Sequence, residues 1–388
     1  MKIGILTQPI HINYGGTLQA YALQKVLRDM GHEAWLVRLE PYLKHNLDYW
    51  VRTNIGNIIR YFRHQELRRW TWLKPVPKPS RDVVEKNIQN FVTKWINPKT
   101  EYIYGTKSLR QDFLKHKYDA YIIGSDQVWR PRYNGTNQAN YWLDFLGNNS
   151  ATLRISYAAS LGTDQWEYKG ELQRKCCKLA HRFNSLSVRE ASGVRLLSEK
   201  FGLKDVKHVL DPTLLLNRSD YEKLLGSDLV PKDKVIFSYL LDFKDENIRL
   251  IDEISSSKNL PVNAIRPKKK SVDYIEGDDD ADYVIPPVEE WLKSFIDADY
   301  VITDSFHGTV FSIIFNKPFV TLCNSVRGNT RLESLLGLFD MKDRLTSSNS
   351  KDEVEKILDK PIDWAEINRK RDELKIASIN FLISSLKK

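Results

Sequence analysis

The sequence predicts an α/β fold with two Rossmann-like domains that face each other across a cleft. Short β-branched runs alternate with segments of helical periodicity along almost the whole chain. The first unit joins strands at 2–7 and 33–39 through a helix, which implies parallel pairing and a right-handed crossover. A polar stretch at 217–234 then separates two series of this kind. Residues 1–215 and 216–388 are therefore predicted to form the two domains.

The elements of the first half follow from hydrophobic patterning and from the residues that end each segment. A helix at 18–30 has a broad apolar face and stops at Gly31. The apolar run at 118–123 has the length of a buried strand. The other expected elements of this half are strands at 154–159, 185–188 and 207–210 and helices at 170–181 and 192–201.

The second half repeats the alternation of strands and helices. Its expected strands are at 235–241, 262–265, 300–303 and 318–322, and its expected helices are at 245–256, 288–296, 309–315, 330–339 and 364–386. Ligands of such sheets bind beyond the carboxyl ends of the strands. The residues that directly follow each strand are therefore the first candidates for function.

Composition places the chain among soluble globular proteins. It has 388 residues, 41% hydrophobic and 28% charged, and 59 Lys and Arg against 50 Asp and Glu give a net charge of +9. No apolar run reaches the ~18 residues of a membrane span, and the first residues read as a strand rather than as a signal peptide. Three cysteines without zinc spacing favour a reducing cytoplasm. The positive charge fits a nucleic acid, an anionic membrane or an anionic small substrate.

The turn after the strand at 300–303 is the most informative stretch. It holds Ser305, His307, Gly308 and Thr309 at the start of a helix. A helix N-terminus offers unpaired N–H groups and the positive end of the macrodipole, which suits phosphate. Gly308 lets a ligand approach the backbone, and His307 can donate a hydrogen bond or transfer a proton. The alternative is that Ser305 caps the helix and His307 is a satisfied turn residue.

Three arginines that follow strands are further candidates for holding an anion. Arg189 can clamp a carboxylate or phosphate through two hydrogen bonds. Its alternative is an ion pair with Glu190 or a solvated side chain. Arg327 and Arg331 lie on a glycine-containing loop after the strand at 318–322, where the alternative is a solvated loop.

The glycine-containing turn after the first strand is a candidate for accepting a sugar. It contains Asn13, Tyr14, Gly15 and Gly16 and lacks the G-x-G-x-x-G pattern, so dinucleotide binding has little support. Asn13, Tyr14 and the backbone amides suit a sugar. The alternative is a tight turn that needs glycine.

A second strand-end segment combines a carboxylate, an amide and an aromatic ring. Asp126, Gln127 and Trp129 follow the strand at 118–123. These groups are the usual ones for holding a sugar. The alternative is an Asp helix cap beside a packed Trp.

A basic aromatic insertion near 50–81 interrupts the first series. The stretch at 60–81 is rich in Arg, Lys, Trp and Tyr and can rest on an anionic membrane. The alternative is an amphipathic helix packed on its own domain. No nucleic-acid recognition module is visible, so no nucleic-acid partner is expected. The acidic run at 278–282 lacks the ligand spacing of a calcium loop, so a solvated acidic loop is favoured over a cation site. No metal is expected, because the arginines can supply the charge that Mg²⁺ would otherwise provide.

Taken together, the strand-end segments resemble the polysaccharide pyruvyl transferase family. They are spread in order over about residues 1–340. The segments that carry the resemblance are Asn13-Tyr-Gly-Gly-Thr-Leu-Gln-Ala20, Gly124-Ser-Asp-Gln-Val-Trp129, Tyr157-Ala-Ala-Ser160, Ser187-Val-Arg-Glu190, Leu210-Asp-Pro-Thr213 and Asp304-Ser-Phe-His-Gly308.

The resemblance implies both an architecture and a reaction. The architecture is the glycosyltransferase-B-like arrangement of two Rossmann-like domains. The reaction moves the enolpyruvyl group of phosphoenolpyruvate onto two hydroxyls of a sugar, forms a pyruvate ketal, releases phosphate and needs no cofactor. The acceptor sugar would belong to a polysaccharide or to a lipid-linked precursor. The protein would act in the cytoplasm or at the inner face of the membrane.

The resemblance also implies roles for individual residues. Residues of relatives that match His307 and Arg189 hold phosphoenolpyruvate. Some relatives have Arg-Leu ahead of that His, where this chain has Ser-Phe, so Arg327 or Arg331 is expected to supply the missing anion contact. His307 is expected to contact the phosphate and deliver a proton, and Asp126 to orient or deprotonate the acceptor hydroxyl.

Two other functions remain open from the sequence. One is a glycosyltransferase of the same architecture that uses a nucleotide sugar and has a nucleotide site in its C-terminal domain. The other is a protein that binds a glycan or an anion without turnover. Measuring whether phosphate or a nucleoside diphosphate is released distinguishes a pyruvyl transferase from such a glycosyltransferase.

Overall fold

The structure is a computed structural model that describes residues 1–40, 55, 79–149, 151–226, 234–242, 244–269, 273–275, 277–324 and 328–387. Most of the predicted basic insertion near 50–81 lies outside these residues, and so does Arg327. At the end of the insertion, Arg81 pairs with Glu40 at 3.2 Å and with Glu85 at 2.9 Å. None of the described helices is both long and apolar enough to cross a membrane.

The first half contains a parallel sheet in the order β2-β1-β5-β6. A parallel pair, β7-β8, lies next to β6 through two isolated bridges. The strands are β1 (Lys2–Leu6), β2 (Glu33–Leu36), β3 (Leu39–Glu40), β4 (Ile103–Tyr104), β5 (Ala120–Ile123), β6 (Leu153–Ser156), β7 (Leu186–Val188) and β8 (Val206–His208). The helices are α1 (Tyr14–Asp29), α2 (Arg81–Val84), α3 (Lys86–Trp95), α4 (Gly105–His116), α5 (Pro131–Asn134), α6 (Gly170–Ala180), α7 (Ala191–Phe201) and α8 (Arg218–Glu222).

The second half contains a five-stranded parallel sheet in the order β10-β9-β11-β12-β13. Its strands are β9 (Val235–Tyr239), β10 (Val262–Ala264), β11 (Ala298–Thr303), β12 (Phe319–Leu322) and β13 (Leu345–Thr346). Its helices are α9 (Asp245–Lys258), α10 (Val288–Asp297), α11 (Phe306–Ile314), α12 (Thr330–Leu338), α13 (Lys351–Asp359) and α14 (Trp364–Ser385).

Both sheets place their first strand between their second and third, which creates a switch point in each half. In the first sheet β1 lies between β2 and β5, and in the second β9 lies between β10 and β11. Ligands of open α/β sheets bind beyond the carboxyl ends of strands at such points. The strand-end residues at the two switch points are therefore the ones to examine for a site.

Helix α1 begins four residues before the position expected from periodicity. The Asn13 side chain accepts a hydrogen bond from Gly16 N at 3.1 Å and caps the helix. An Asn cap satisfies one of the free N–H groups of the first turn, so the helix extends back over Tyr14, Gly15 and Gly16. The predicted glycine turn is therefore the first turn of a helix.

The two halves pack together through aromatic and polar contacts. The ring of Tyr14 stacks on Trp291 with a centroid distance of 5.4 Å, and its hydroxyl donates to Pro286 O at 2.9 Å. At the end of the chain, α14 returns to the first half, where Ser378 Oγ accepts a hydrogen bond from Leu210 N at 3.0 Å. Helix α14 thus packs on the first half although it follows the predicted domain boundary in the chain. The boundary between residues 215 and 216 stays a prediction.

Candidate functional site

A cleft lies between the two halves where the carboxyl ends of both sheets meet. Its empty volume is about 560 Å³ and is open to solvent. The first half lines it with Asn13, Asp126, Gln127 and Tyr133, and the second half lines it with residues 304–307, Asn324 and Arg331, among others. The segments that follow β1, β5, β11 and β12 therefore all contribute to one cleft.

The start of α11 is held against the sheet by short contacts. Ser305 caps the helix by accepting a hydrogen bond from Gly308 N at 3.3 Å. A β-carbon on Gly308 would lie 2.9 Å from the β-carbon of Thr303, so only glycine lets the helix start this close to β11. The N-terminus of α11, with its free N–H groups and positive dipole end, consequently points at the cleft.

Asp304 ties the ends of three strands together behind the cleft. Its carboxylate accepts hydrogen bonds from Leu241 N at 2.6 Å, from Asp242 N at 3.1 Å and from Asn324 Nδ2 at 3.1 Å. Burial raises the pKa of Asp304, and the two backbone N–H groups oppose that effect. These bonds fix the loops that follow β9, β11 and β12 relative to one another.

His307 is the point where the second half meets the first turn of α1. A β-carbon on Gly15 would lie 2.6 Å from the β-carbon of His307 and closer still to its ring. The Nε2 atom of His307 is 3.8 Å from Asp211 Oδ2 and, within the described residues, has no hydrogen-bond partner. His307 is thus held between a glycine and a buried carboxylate at the edge of the cleft.

Arg189 lies below the cleft between two carboxylates. Its Nη1 atom donates to Asp211 Oδ2 at 2.8 Å, and its Nη2 atom donates to Asp126 Oδ1 at 3.3 Å. Its Cζ atom is 4.2 Å from the ring centroid of Phe306. The side chain is 1% exposed. Both carboxylates are needed here because a buried charge without a partner is costly.

Asp211 is the most enclosed charged group of the site. Its carboxylate also accepts hydrogen bonds from Ser125 Oγ at 3.1 Å and from the backbone N and hydroxyl of Thr213 at 3.0 and 2.7 Å. Burial alone raises the pKa of this carboxyl, but the neighbouring His307 and Arg189 outweigh burial and hold the pKa well below its usual range. Asp211 therefore carries a negative charge throughout the neutral range.

Arg331 brings a second arginine to the same place from α12. Its Cζ atom is 5.9 Å from the ring centroid of Phe306, so this ring lies close to both guanidinium groups. Burial and the charge of Arg189 lower the pKa of Arg331 to about 10. Its Nε atom has no hydrogen-bond partner among the described residues. Unlike Arg189, Arg331 lines the cleft.

The structure places several predicted site residues outside the cleft. Tyr14 packs against Trp291, as described above, and is 3% exposed. Trp129 is fully buried, stacks on Trp142 with a centroid distance of 4.1 Å and donates its indole N–H to Tyr141 O. Neither residue offers a surface to a sugar in this structure, which corrects the expectation for both.

Thr309, Gly308 and the two glycines of α1 support the site from behind. Thr309 is fully buried and bonds Ser305 O at 3.0 Å and Thr321 Oγ1 at 2.8 Å. Gly15 and Gly16 form the first turn of α1, and Gly15 gives His307 its space. These residues shape the backbone of the site and do not line the cleft.

A family model for polysaccharide pyruvyl transferase matches residues 13–325, which is most of the chain. The chain belongs to this family. The matched region contains the described cleft residues of both halves except Gly328 and those of α12. No curated protein sequence matches the chain.

Solved structures with the same fold include two UDP-GlcNAc 2-epimerases. The Methanocaldococcus jannaschii enzyme is 13% identical with a TM-score of 0.50, and the match covers 97% of this chain and 99% of that one. The Neisseria meningitidis enzyme bound to UDP-GlcNAc is 10% identical with a TM-score of 0.50, with 99% and 100% covered. A glycotransferase of kitacinnamycin is 12% identical with a TM-score of 0.48, with 100% and 99% covered. At the identities of the two epimerases the likeness shows the fold alone, and the predicted glycosyltransferase-B-like α/β fold is confirmed.

Several residues of the site, Asp211 and Tyr133 among them, were not among the candidates from the sequence. Asp211 is the second residue of the Leu210-Asp-Pro-Thr213 segment, which follows β8, and its place after a strand was the signal that marks it. Tyr133 lies in the short helix α5. It does not directly follow a strand, so the rule that selects strand-end residues does not select it. In the described part of the chain no three His, Cys, Asp or Glu residues are arranged to hold a metal ion. That the reaction needs no metal stays a prediction.

Proposed function

We propose that this chain transfers the enolpyruvyl group of phosphoenolpyruvate onto two hydroxyls of a sugar, forming a pyruvate ketal and releasing phosphate. The observation that carries the proposal is the cluster of Arg189, Arg331 and His307 at one end of an interdomain cleft. Each of the three has a buried ring or guanidinium nitrogen without a hydrogen-bond partner among the described residues. Membership of the family supplies the reaction class.

A small polyanion suits this cluster better than a neutral ligand does. Phosphoenolpyruvate carries a phosphate and a carboxylate, and each hydrogen bond to a charged group contributes roughly 1.5–3 kcal/mol. Among the residues that the structure describes, Arg331 and the N-terminus of α11 are the positive groups that line the cleft. Some relatives carry an arginine at the position of Ser305, and Arg331 lies near the neighbouring Phe306, with its Cζ atom 5.9 Å from the ring centroid. Arg331 therefore replaces that anion contact in the proposal.

Arg189 has a different part in the proposal. Because Asp211 and Asp126 already share its two Nη atoms, Arg189 contributes positive potential from below the cleft and presents at most its Nε–H to the ligand. The same pairing holds the Asp126 carboxylate beside a guanidinium. In that position Asp126 suits orienting an acceptor hydroxyl.

The proposed reaction balances when the protons of both hydroxyls are followed. The oxygen of one sugar hydroxyl forms a bond to C2 of phosphoenolpyruvate while C3 takes a proton from His307 and becomes a methyl group, and the proton lost by that hydroxyl returns to His307. The second hydroxyl then attacks C2, the bond from C2 to the phosphate oxygen breaks, and the hydroxyl proton leaves with phosphate. His307 is the proposed donor of the proton to C3 and a contact of the phosphate. A positioned acid contributes about 10²–10⁴-fold to the rate.

A donor comparison tests the proposal. The protein is incubated with a panel of methyl hexopyranosides and either phosphoenolpyruvate or UDP-GlcNAc, and phosphate and UDP are measured separately. Phosphate release that depends on both phosphoenolpyruvate and acceptor supports a pyruvyl transferase. UDP release from UDP-GlcNAc instead supports a glycosyltransferase, and binding without either product supports a non-catalytic protein.

The variant His307→Ala tests the proposed proton donor. Phosphate release should fall by about 10²–10⁴-fold while the unfolding temperature stays close to that of the wild type. Near-normal turnover by a folded variant contradicts the role. A lipid-linked acceptor, and contact of the segment at 60–81 with an anionic membrane, stay predictions from the sequence.

A further inference from the structure

Tyr133 is a half-exposed aromatic ring in the wall of the cleft. It belongs to α5 (Pro131–Asn134), which follows the segment that carries Asp126 and Gln127. Its side chain lines the cleft together with those two residues, and the residue is 47% exposed. In this respect it contrasts with Trp129, which is four residues earlier and fully buried.

The ring of Tyr133 is supported by a rigid arginine. The Cζ atom of Arg130 is 4.9 Å from the ring centroid, and its Nη1 atom is 3.3 Å from the Tyr133 hydroxyl. Arg130 itself is 5% exposed and is held by Glu167 and Gln127, each at 3.1 Å. The ring is therefore kept in one position while nearly half of the residue stays exposed.

Tyr133 also faces the cationic end of the cleft. Tyr133 and Arg331 line the same cleft. A ligand that lies on Tyr133 would consequently reach both Asp126 and an anion bound at Arg331. This is the placement that an acceptor needs beside its donor.

We propose that Tyr133 is the stacking platform for the acceptor, which is a pyranose that lays an apolar C–H face on the ring and directs a hydroxyl toward Asp126. Binding sites for small molecules combine aromatic surface with a few well-placed polar groups, and an aromatic ring supplies the larger part of the contact area. Asp126 and Gln127 are the polar groups on this wall. The inference rests on the proposed function because it assigns that function's acceptor subsite.

Three variants test the platform. Tyr133→Ala removes the ring, Tyr133→Phe keeps it, and Tyr104→Ala removes a ring that is 39% exposed on β4 outside the cleft lining. With the best methyl hexopyranoside of the panel, Tyr133→Ala should raise the acceptor KM by about tenfold, equivalent to ~1.4 kcal/mol. Tyr133→Phe and Tyr104→Ala should stay within about threefold of the wild type.

Calorimetry with phosphoenolpyruvate alone separates this inference from the proposed function. Tyr133→Ala should bind phosphoenolpyruvate as the wild type does, which also shows that the variant is folded. An unchanged acceptor KM in a variant that binds phosphoenolpyruvate overturns the platform, and so does an equal loss in Tyr133→Phe. If the wild type does not bind phosphoenolpyruvate, the proposed function fails. The platform is then judged by titrating the same glycoside into wild type and Tyr133→Ala, where equal affinity overturns it.

Discussion

His307 packs directly over Gly15, so the proposed proton donor of the second half rests on the first helical turn of the other half. A β-carbon at Gly15 would come within 2.6 Å of the His307 β-carbon. Since no side chain fits between them, the position of His307 depends on glycine in α1. This contact makes the closed arrangement of the two halves a condition for placing the imidazole beside Asp211.

Gly15→Ala should therefore reduce activity without changing any group that contacts substrate. The added methyl group must displace the imidazole or separate the halves, and small misplacements of reacting groups can cost about 10²-fold in rate. The measurement is kcat for phosphate release together with the unfolding temperature.

Gly16→Ala is the matched control for this substitution. The three atoms nearest to a β-carbon at Gly16 would all belong to the Asn13 side chain, at 3.3 to 3.5 Å, which this side chain can accommodate with a small shift. Its kcat should stay within about threefold of the wild type, since alanine is a better helix former than glycine. If both variants lose activity equally, the contact with His307 is not the reason.

Asp211→Asn should alter stability in a way that depends on pH. The folded pKa of Asp211 lies well below its ordinary value of 3.8, so the ionised carboxylate stabilises the folded state above that value. This stabilisation is lost as the pH falls below 3.8 toward the folded pKa. Removing one partner of a buried pair costs roughly 3–5 kcal/mol at neutral pH. Urea unfolding at several pH values should show a smaller loss on acidification in the variant than in the wild type.

Thr213→Val serves as the control for the charge of Asp211. It removes one hydroxyl that donates to the carboxylate and leaves the carboxylate in place. Thr213→Val should lower the free energy of unfolding by about 1 kcal/mol and leave the pH dependence of that free energy as in the wild type. If the free energy of unfolding changes equally with pH in the wild type, Asp211→Asn and Thr213→Val, the Asp211 carboxylate does not stabilise the fold through its charge.

Arg189→Lys should weaken phosphoenolpyruvate binding although the charge is kept. A lysine ammonium cannot donate in the two fixed directions that Asp211 and Asp126 require. We expect a KM for phosphoenolpyruvate raised by about tenfold and a lower unfolding temperature. Arg195→Lys, in an exposed pair with Glu199 at 3.2 Å, should change neither quantity. An unchanged KM in Arg189→Lys counts against the role of Arg189.

Arg331→Gln should raise the KM for phosphoenolpyruvate by about tenfold to 100-fold, because one charge-assisted contact is lost. The wild-type KM should also rise as the pH passes about 10, where Arg331 loses its proton. The variant lacks that group, so its KM should rise less over the same interval. Initial rates at fixed acceptor concentration measure both effects. The role is wrong if the two proteins have the same KM at neutral pH.

Much of the fold could be predicted because periodicity and end signals act locally. The helix expected at 170–181 is observed at Gly170–Ala180, and the strand expected at 235–241 is observed at Val235–Tyr239. Several helices, among them Lys86–Trp95, Gly105–His116 and Lys351–Asp359, were not expected. Helix α1 starts early because its Asn13 cap outweighs the cost of two glycines in the first turn.

The candidate site could be predicted only as a set of strand ends. The carboxyl ends of parallel strands meet at one edge of each sheet, so the candidates that follow strands come together. Those that line the cleft are Asn13, Asp126, Gln127, His307 and Arg331. Position after a strand does not tell which aromatic side chains are buried and which are exposed. Trp129 and Tyr133 are both aromatic and four residues apart, and only packing decides that the first is buried and the second is open.

By itself, the sequence determined the alternation of strands and helices, the two series, the strand-end positions of the candidate residues and the resemblance to the family. These follow from local patterning and from motifs in order along the chain. Only the tertiary structure decided that Asp211 sits between Arg189 and His307, that Gly15 makes room for His307, and that Tyr133 faces the cleft. Such pairings join residues far apart in sequence. They depend on how two sheets pack, which no local pattern specifies.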